Sequence, residues 1–145
     1  MGRVWEVVIA SADLENRRNV LGMLTQQGVD CLCASTVSQC QEILSGRKIG
    51  LVFSDRKFSD GSYQDILRHT GGSGNLTTKV VVMSALMTPF EYEQARRCGV
   101  FDVISVPCRP TDIEWMVILA KRAELIRPQP RGVSSSVAVK SPSAS

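Results

Sequence analysis

The sequence predicts a doubly wound α/β domain, a five-stranded parallel sheet with helices on both faces. Three observations carry that expectation. Short apolar runs rich in β-branched residues alternate strictly with segments of helical period. The strand runs are uninterrupted, as in strands covered on both sides. The chain, at 145 residues, has the length of one domain with one core.

Val4 to Ala10 is the first such run. Asp13 to Gln27 reads as a helix carrying Leu14, Val20, Leu21 and Leu24 inward; Gly22 weakens it and Gly28 stops it. Val29 to Cys33 forms the second strand. Thr36 caps a helix that presents Val37, Cys40, Ile43 and Leu44 at three- and four-residue spacing and ends at Gly46. Ile49 to Ser54 is the third strand, and Asp60-Gly61 turns the chain into a helix holding Ile66 and Leu67. Thr70 to Thr78 reads as a Gly/Ser/Asn loop, the most mobile part of the body.

Lys79 to Ser84 is the fourth strand. Thr88-Pro89-Phe90-Glu91 joins a capping hydroxyl, a proline at the first helical position and a Glu three residues after the cap. Thr111-Asp112-Ile113-Glu114 repeats the capping box. Between them, Cys98-Gly99 ends one helix and Asp102 to Val106 forms the fifth strand. The last helix runs to about Ile126, where Pro128 and Pro130 follow. Residues 1–127 are therefore expected to form one domain, and residues 128–145 a disordered Ser/Pro-rich tail.

A composition of 43% hydrophobic and 21% charged residues is that of a soluble globular chain. The net charge of +3 comes from scattered Lys and Arg, which argues against nucleic-acid binding. Arg3, Trp5 and Glu6 interrupt any signal-peptide run, and no apolar stretch is long enough to span a membrane, so a cytoplasmic location is expected. Cys31, Cys33, Cys40, Cys98 and Cys108 form an odd set without CxxC spacing. They read as buried free thiols in a reducing compartment rather than as a metal site.

In such a sheet the chemistry lies beyond the strand C-terminal ends, which brings Ser11, Asp55, Ser84 and Val106 around one hollow. Here the chain resembles the receiver domain of response regulators, over residues 4 to about 126. Gly50 to Ser62 looks like the strand ending in a phosphoacceptor, Asp55, and the turn after it, with Ser59 in place of the usual proline. Val82-Met83-Ser84-Ala85 is similar to the segment bearing the switch hydroxyl. Cys98 to Pro107 is similar to the segment that ends in Lys-Pro. The resemblance implies a flavodoxin-like sheet of order 2-1-3-4-5, a phosphoryl group on Asp55, a switch hydroxyl at Ser84, and a histidine kinase or output protein as partner.

Phosphoryl transfer to a carboxylate needs a divalent cation on the nucleophile and phosphate oxygens. Magnesium takes oxygen ligands, among them one or two carboxylates. Where the resemblance places an acidic pair, this sequence has Ser11 and Ala12, with Asp13 one position later. Asp13 either reaches a metal through water, sharing it with Asp55, or caps the first helix; capping is the expectation. The phosphate-binding Lys is replaced by Val106, and the fifth-strand aromatic by Val103. Arg56, Lys57 and Arg109 could approach the hollow but read better as solvated loop charges. Two unit charges 4 Å apart interact by about 4 kcal/mol at an effective dielectric of 20. Losing these groups should therefore cost several powers of ten in rate. Asp55 and Ser84 are read as relics, Asp55 capping a loop and Ser84 bonding backbone, over the alternative in which both still serve a phosphoryl group.

Ile113, Met116, Val117, Ala120 and Ala123 form the expected core stripe of the last helix. Trp115, Ile118, Leu119, Arg122 and Ile126 form a second stripe, near Phe90 and Tyr92. Either it buries against another chain, giving a homodimer, or Ile118 and Leu119 complete the core while Trp115 leans on the surface. The leading expectation is a non-enzymatic signalling domain that works by protein contacts and requires no cofactor, with magnesium binding weak at most. A phosphorylatable receiver using Asp55 with magnesium is the alternative, and a small-ligand sensor a third.

Overall fold

The computed structural model describes residues 5–72 and 78–125. In chain order the elements are β1 (Glu6–Ala10), α1 (Leu14–Gln26), β2 (Asp30–Ala34), α2 (Val37–Gly46), β3 (Ile49–Asp55), β4 (Lys57–Phe58), β5 (Gly61–Ser62), α3 (Tyr63–Gly72), β6 (Lys79–Ser84), α4 (Pro89–Cys98), β7 (Asp102–Ser105) and α5 (Pro110–Leu125). Five strands form one parallel sheet in the order β2-β1-β3-β6-β7. Counting only these strands, the order is the 2-1-3-4-5 that the sequence implied. A two-residue antiparallel ribbon, β4 with β5, follows β3.

Period-two geometry sends alternate residues of each central strand to opposite faces. Val7, Ile9, Leu51 and Phe53 meet Val20 and Leu24 of α1 and Ile113, Met116, Val117 and Ala120 of α5. Val8, Ala10, Val52 and Val80 meet Cys40 and Leu44 of α2 and Ile66 of α3. Each large side chain so buried contributes about 1.5–3 kcal/mol. The cluster under α4 is far smaller, formed by Tyr63, Val82, Ala95 and Val100.

Several expectations need correction. Leu14 is exposed, and Asn16 takes the inward position beside Val20 and Leu24. The helix starts one residue after its Asp13 cap, which turns the first apolar residue outward. Thr70 and the two glycines after it continue α3, whose backbone bonding overrides their loop propensity; residues 73–77 of the expected loop lie outside the described residues. β3 extends to Asp55, while β7 stops at Ser105, before Val106-Pro107. Proline cannot donate to a ladder, and this Val106–Pro107 bond is cis. The second capping box does not form, because α5 begins at Pro110 and takes Thr111 into its first turn. Cys33 and Cys98 are exposed and Cys31 half-buried; only Cys40 and Cys108 are buried thiols, because strand β2 is an edge and α4 turns Cys98 to solvent. Val4, Ile126 and the proposed tail at 128–145 lie outside the described residues.

Two other sequence features do form. Thr88 Oγ1 accepts from Glu91 N while Glu91 Oε1 accepts from Thr88 N, so α4 has a complete capping box. Gly99 closes the same helix at φ 106°, a left-handed conformation costly for residues with a Cβ.

Candidate functional site

Ala10, Asp55, Ser84 and Ser105 end four adjacent parallel strands, so the side chains at or just beyond them share the C-terminal edge of the sheet. Ser11 and Asp55 meet there directly. Ser11 is fully buried, and its Oγ donates to Asp55 Oδ2 at 3.0 Å. The Ala12 backbone N–H donates to the same oxygen at 2.8 Å. Ser11 Oγ also accepts from Asn16 Nδ2 at 3.3 Å, and Asn16 Nδ2 lies 3.6 Å from Met83 Sδ on β6. A buried polar chain thus runs from β3 through the β1–α1 turn into α1. Every member has a partner, which is what makes such burial tolerable.

Burial pushes the Asp55 carboxyl above its ordinary range. The Ala12 N–H and Ser11 hydroxyl oppose that rise, the Asp13 carboxylate adds to it, and the Arg17 charge reduces it. Arg17 was absent from the sequence-derived candidates. It sits four residues after Asp13 on α1, and its Nη1 donates to the Ser11 carbonyl at 2.7 Å. The signal that could have found it is that spacing, which puts a basic residue one turn above the start of a helix that begins at the strand ends.

The three cations named from sequence go elsewhere. Arg56 pairs with Glu91 of α4 at 2.6 Å, Arg109 lies 3.5 Å from Asp112, and Lys57 is exposed on β4. Val106 packs against the core shared by α1 and α5, and Cys108 is buried in that core with its thiol pushed up to about 11, chiefly by burial. Ser84 Oγ donates to the Leu86 carbonyl at 2.9 Å. Asp13 Oδ1 accepts from Glu15 N and Asn16 N at 2.9 and 3.3 Å, the geometry of a helix cap.

These residues fit magnesium poorly. Ser11 offers a hydroxyl already shared among neighbours, Ala12 has no donor atom, Asp13 is engaged by helix N–H groups, and one Asp55 oxygen accepts two hydrogen bonds. Among the described residues no group of three His, Cys, Asp or Glu side chains is arranged around a common point.

Sequence reading also missed the role of Asp60. Its two carboxylate oxygens accept from Val37 N at 2.9 Å and Ser38 N at 3.0 Å, bracing the start of α2 from the β4–β5 turn. Those backbone N–H groups hold its carboxyl below the usual range.

On the proposed partner face, Phe90 and Trp115 are 73% and 53% exposed, and Tyr92, Ile118 and Arg122 also face solvent. Leu119 is instead half-buried against the main core. The second stripe of α5 therefore divides, Leu119 inward and Trp115 and Ile118 outward. A groove of about 580 Å³ runs between α4 and β7, lined by Leu86, Met87, Tyr92 and Val103 among others.

No family model matches the sequence, and no curated protein matches it. Solved structures match well in shape. A signal receiver domain from Vibrio parahaemolyticus superimposes with a TM-score of 0.77 at 18% identity, over 85% of this chain and 95% of that one. A response regulator receiver protein from Pseudomonas putida gives 0.73 at 21% identity, over 82% and 99%. A CheY-like receiver domain protein from Methanospirillum hungatei gives 0.75 at 15% identity, over 85% and 98%. The chain has the receiver fold. Among the described residues no helix is long and apolar enough to cross a membrane.

Proposed function

We propose that this chain is a non-enzymatic signalling domain of the receiver fold that acts through protein contacts, with Asp55 retained as a phosphoacceptor position in an eroded site. The observation that carries the reading is the double hydrogen bond from Ser11 Oγ and Ala12 N onto Asp55 Oδ2. Neutral donors hold the carboxylate where an acidic pair and its cation would otherwise stand. Such donors stabilise one negative charge but cannot offset the two or more that an acyl phosphate would bring. The partner surface is the exposed apolar set Phe90, Tyr92, Trp115 and Ile118, with Arg122 beside it. Its partner is another signalling protein or a second copy of the chain. Exposed Cys33 and Cys98 suit a reducing cytoplasm.

The test is incubation with acetyl phosphate, and separately with beryllofluoride, each with magnesium. The expected result is an unchanged intact mass and unchanged amide shifts around Asp55. A phosphoryl adduct that disappears in Asp55→Asn would overturn the reading and favour a phosphorylatable receiver in which Asp13 and Asp55 share magnesium. For the surface, light scattering on Trp115→Arg should show loss of any dimer formed by the native chain.

A further inference from the structure

Two of the free thiols share one face of an edge strand. β2 lies at the margin of the sheet with β1 on its inner side, and the register sets Cys31 beside Val7 and Cys33 beside Ile9. Cys31 packs against the core under α1 and α5, whereas Leu32 packs against the core under α2 and α3. Period-two geometry then returns Cys33 to the side of Cys31. Cys33 is exposed and Cys31 half-buried, so the pair opens to solvent beside α1. Burial raises both thiols above their ordinary range; Cys33 and Asp30 push Cys31 further up, while the Arg17 guanidinium of α1 draws Cys33 back down.

The spacing selects what can join these two sulfurs. Residues two apart on a parallel strand stand about 6.6 Å from each other. A disulfide needs Cβ atoms within about 4.5 Å, so a direct S–S bond would require the strand to bend. An atom seated between the sulfurs makes no such demand. Two collinear bonds of about 2.3 Å span about 4.6 Å, which each sulfur meets by leaning about 1 Å toward the other. A structural zinc ion would need four ligands, and among the described residues no third His, Cys, Asp or Glu converges with the pair. Soft thiolates with no other donor favour copper(I), which accepts two ligands in line. Two thiolates on copper(I) carry one net negative charge, and Arg17 supplies the opposite charge beside Cys33.

The geometry points to a two-sulfur site for copper(I) at Cys31 and Cys33, on the open edge of the sheet. It goes beyond the contact function proposed above and does not rest on it. Binding displaces the proton of each thiol and leaves the metal as copper(I), so no oxidant or reductant is consumed. Cys98, the other exposed thiol, ends α4 toward the opposite edge of the sheet and takes no part.

The experiment is an oxygen-free titration of the full chain with copper(I) held as its bicinchoninate complex, whose colour falls as the protein takes the metal. The native chain should remove one copper per molecule, and X-ray absorption should show two sulfur neighbours and no nitrogen. Cys31→Ser and Cys33→Ser should each weaken binding at least about a hundredfold, since one thiolate cannot complete a linear site. Cys98→Ser should leave binding within about twofold of native. Amide exchange in β1 and β3 checks that each variant is folded, and Cys33→Ser, at an exposed position, is the decisive one. Light scattering should show the same mass before and after loading. No uptake by the native chain, native affinity in Cys33→Ser, or loss of binding in Cys98→Ser would overturn the site. So would uptake that doubles the mass, because the metal would then lie between two chains.

Discussion

The α1/α5 flank of the sheet and the flank under α4 are built differently. On the side shared by α1 and α5, Phe53, Ile9, Leu24 and Ile113 are fully buried in a cluster that draws on four strands and two helices. On the α4 side, Ala95 alone is buried from its helix, and the cluster beneath it has four members. The packed flank draws its order from apolar area, which is non-directional and tolerant of small shifts. The α4 flank draws its order from a capping box, a left-handed Gly99, the Arg56–Glu91 and Arg96–Asp102 ion pairs and the bond from Arg96 to the Phe101 carbonyl, which hold only in one geometry. Asp55 stands between them, with Ser11, Asn16 and Arg17 on the packed side and Arg56 leading to the other. A surface meant to be recognised or adjusted is better supported by few directional contacts than by a core, since local opening there costs less.

The largest expected effect tests the packed flank. Phe53→Ala should lower stability by about 3–5 kcal/mol in urea unfolding, because the cavity opens where neighbours from both helices cannot collapse. A loss no greater than that of an α4 variant would erase the contrast. Next is Ser11→Asp, which places a second carboxylate in a buried position against Asp55. It should cost about 2 kcal/mol at neutral pH without metal. Recovery in millimolar magnesium, followed by the same unfolding curve, would show that one substitution suffices to rebuild a cation site.

Thr88→Ala sharpens the comparison from the other flank. Losing the cap should cost about 1 kcal/mol. Faster amide exchange should stay within residues 89–98, and spread into β1 or β3 would mean that α4 is part of the main cooperative unit. The smallest effect concerns Asp55 itself. Its folded pKa is raised, so the native state binds the proton more readily than the unfolded chain. Stability therefore falls as pH climbs from the unfolded value through the folded one. Asp55→Asn removes that loss and keeps an acceptor for the Ala12 N–H. The melting temperature at neutral pH should rise by a few degrees, and the gain should vanish below the ordinary Asp pKa of about 4, where the carboxyl is protonated in the folded and unfolded chain alike. An unchanged or lower melting temperature at neutral pH would mean that the hydrogen bonds to Asp55 outweigh its burial.

The order of strands and helices was legible because each element announces its own period and its own ends. Val80 to Met83 could only be a doubly covered strand, and Thr88 to Glu91 only a helix start. Asp55 and Ser11 were legible as neighbours once the parallel topology was known, since both end or follow central strands. What the pattern could not give was direction around a helix axis to better than a residue or so. Leu14 and Asn16 exchanged places, and of Ile118 and Leu119 only the second joined the core.

Nor could local sequence assign partners that meet only after folding. Periodicity is an average over neighbours in the chain, so it fixes which elements form and which side of each is apolar. The destinations of Arg17, Arg56 and Asp60 depend on one or two directional bonds between segments 6 to 35 residues apart, such as Arg17 to the Ser11 carbonyl and Arg56 to Glu91. Those bonds exist only once packing has set strand ends and helix starts within about 3 Å of one another, the reach of a hydrogen bond. Fold class was therefore written in the chain, while the surroundings of Asp55 were decided by the assembled structure.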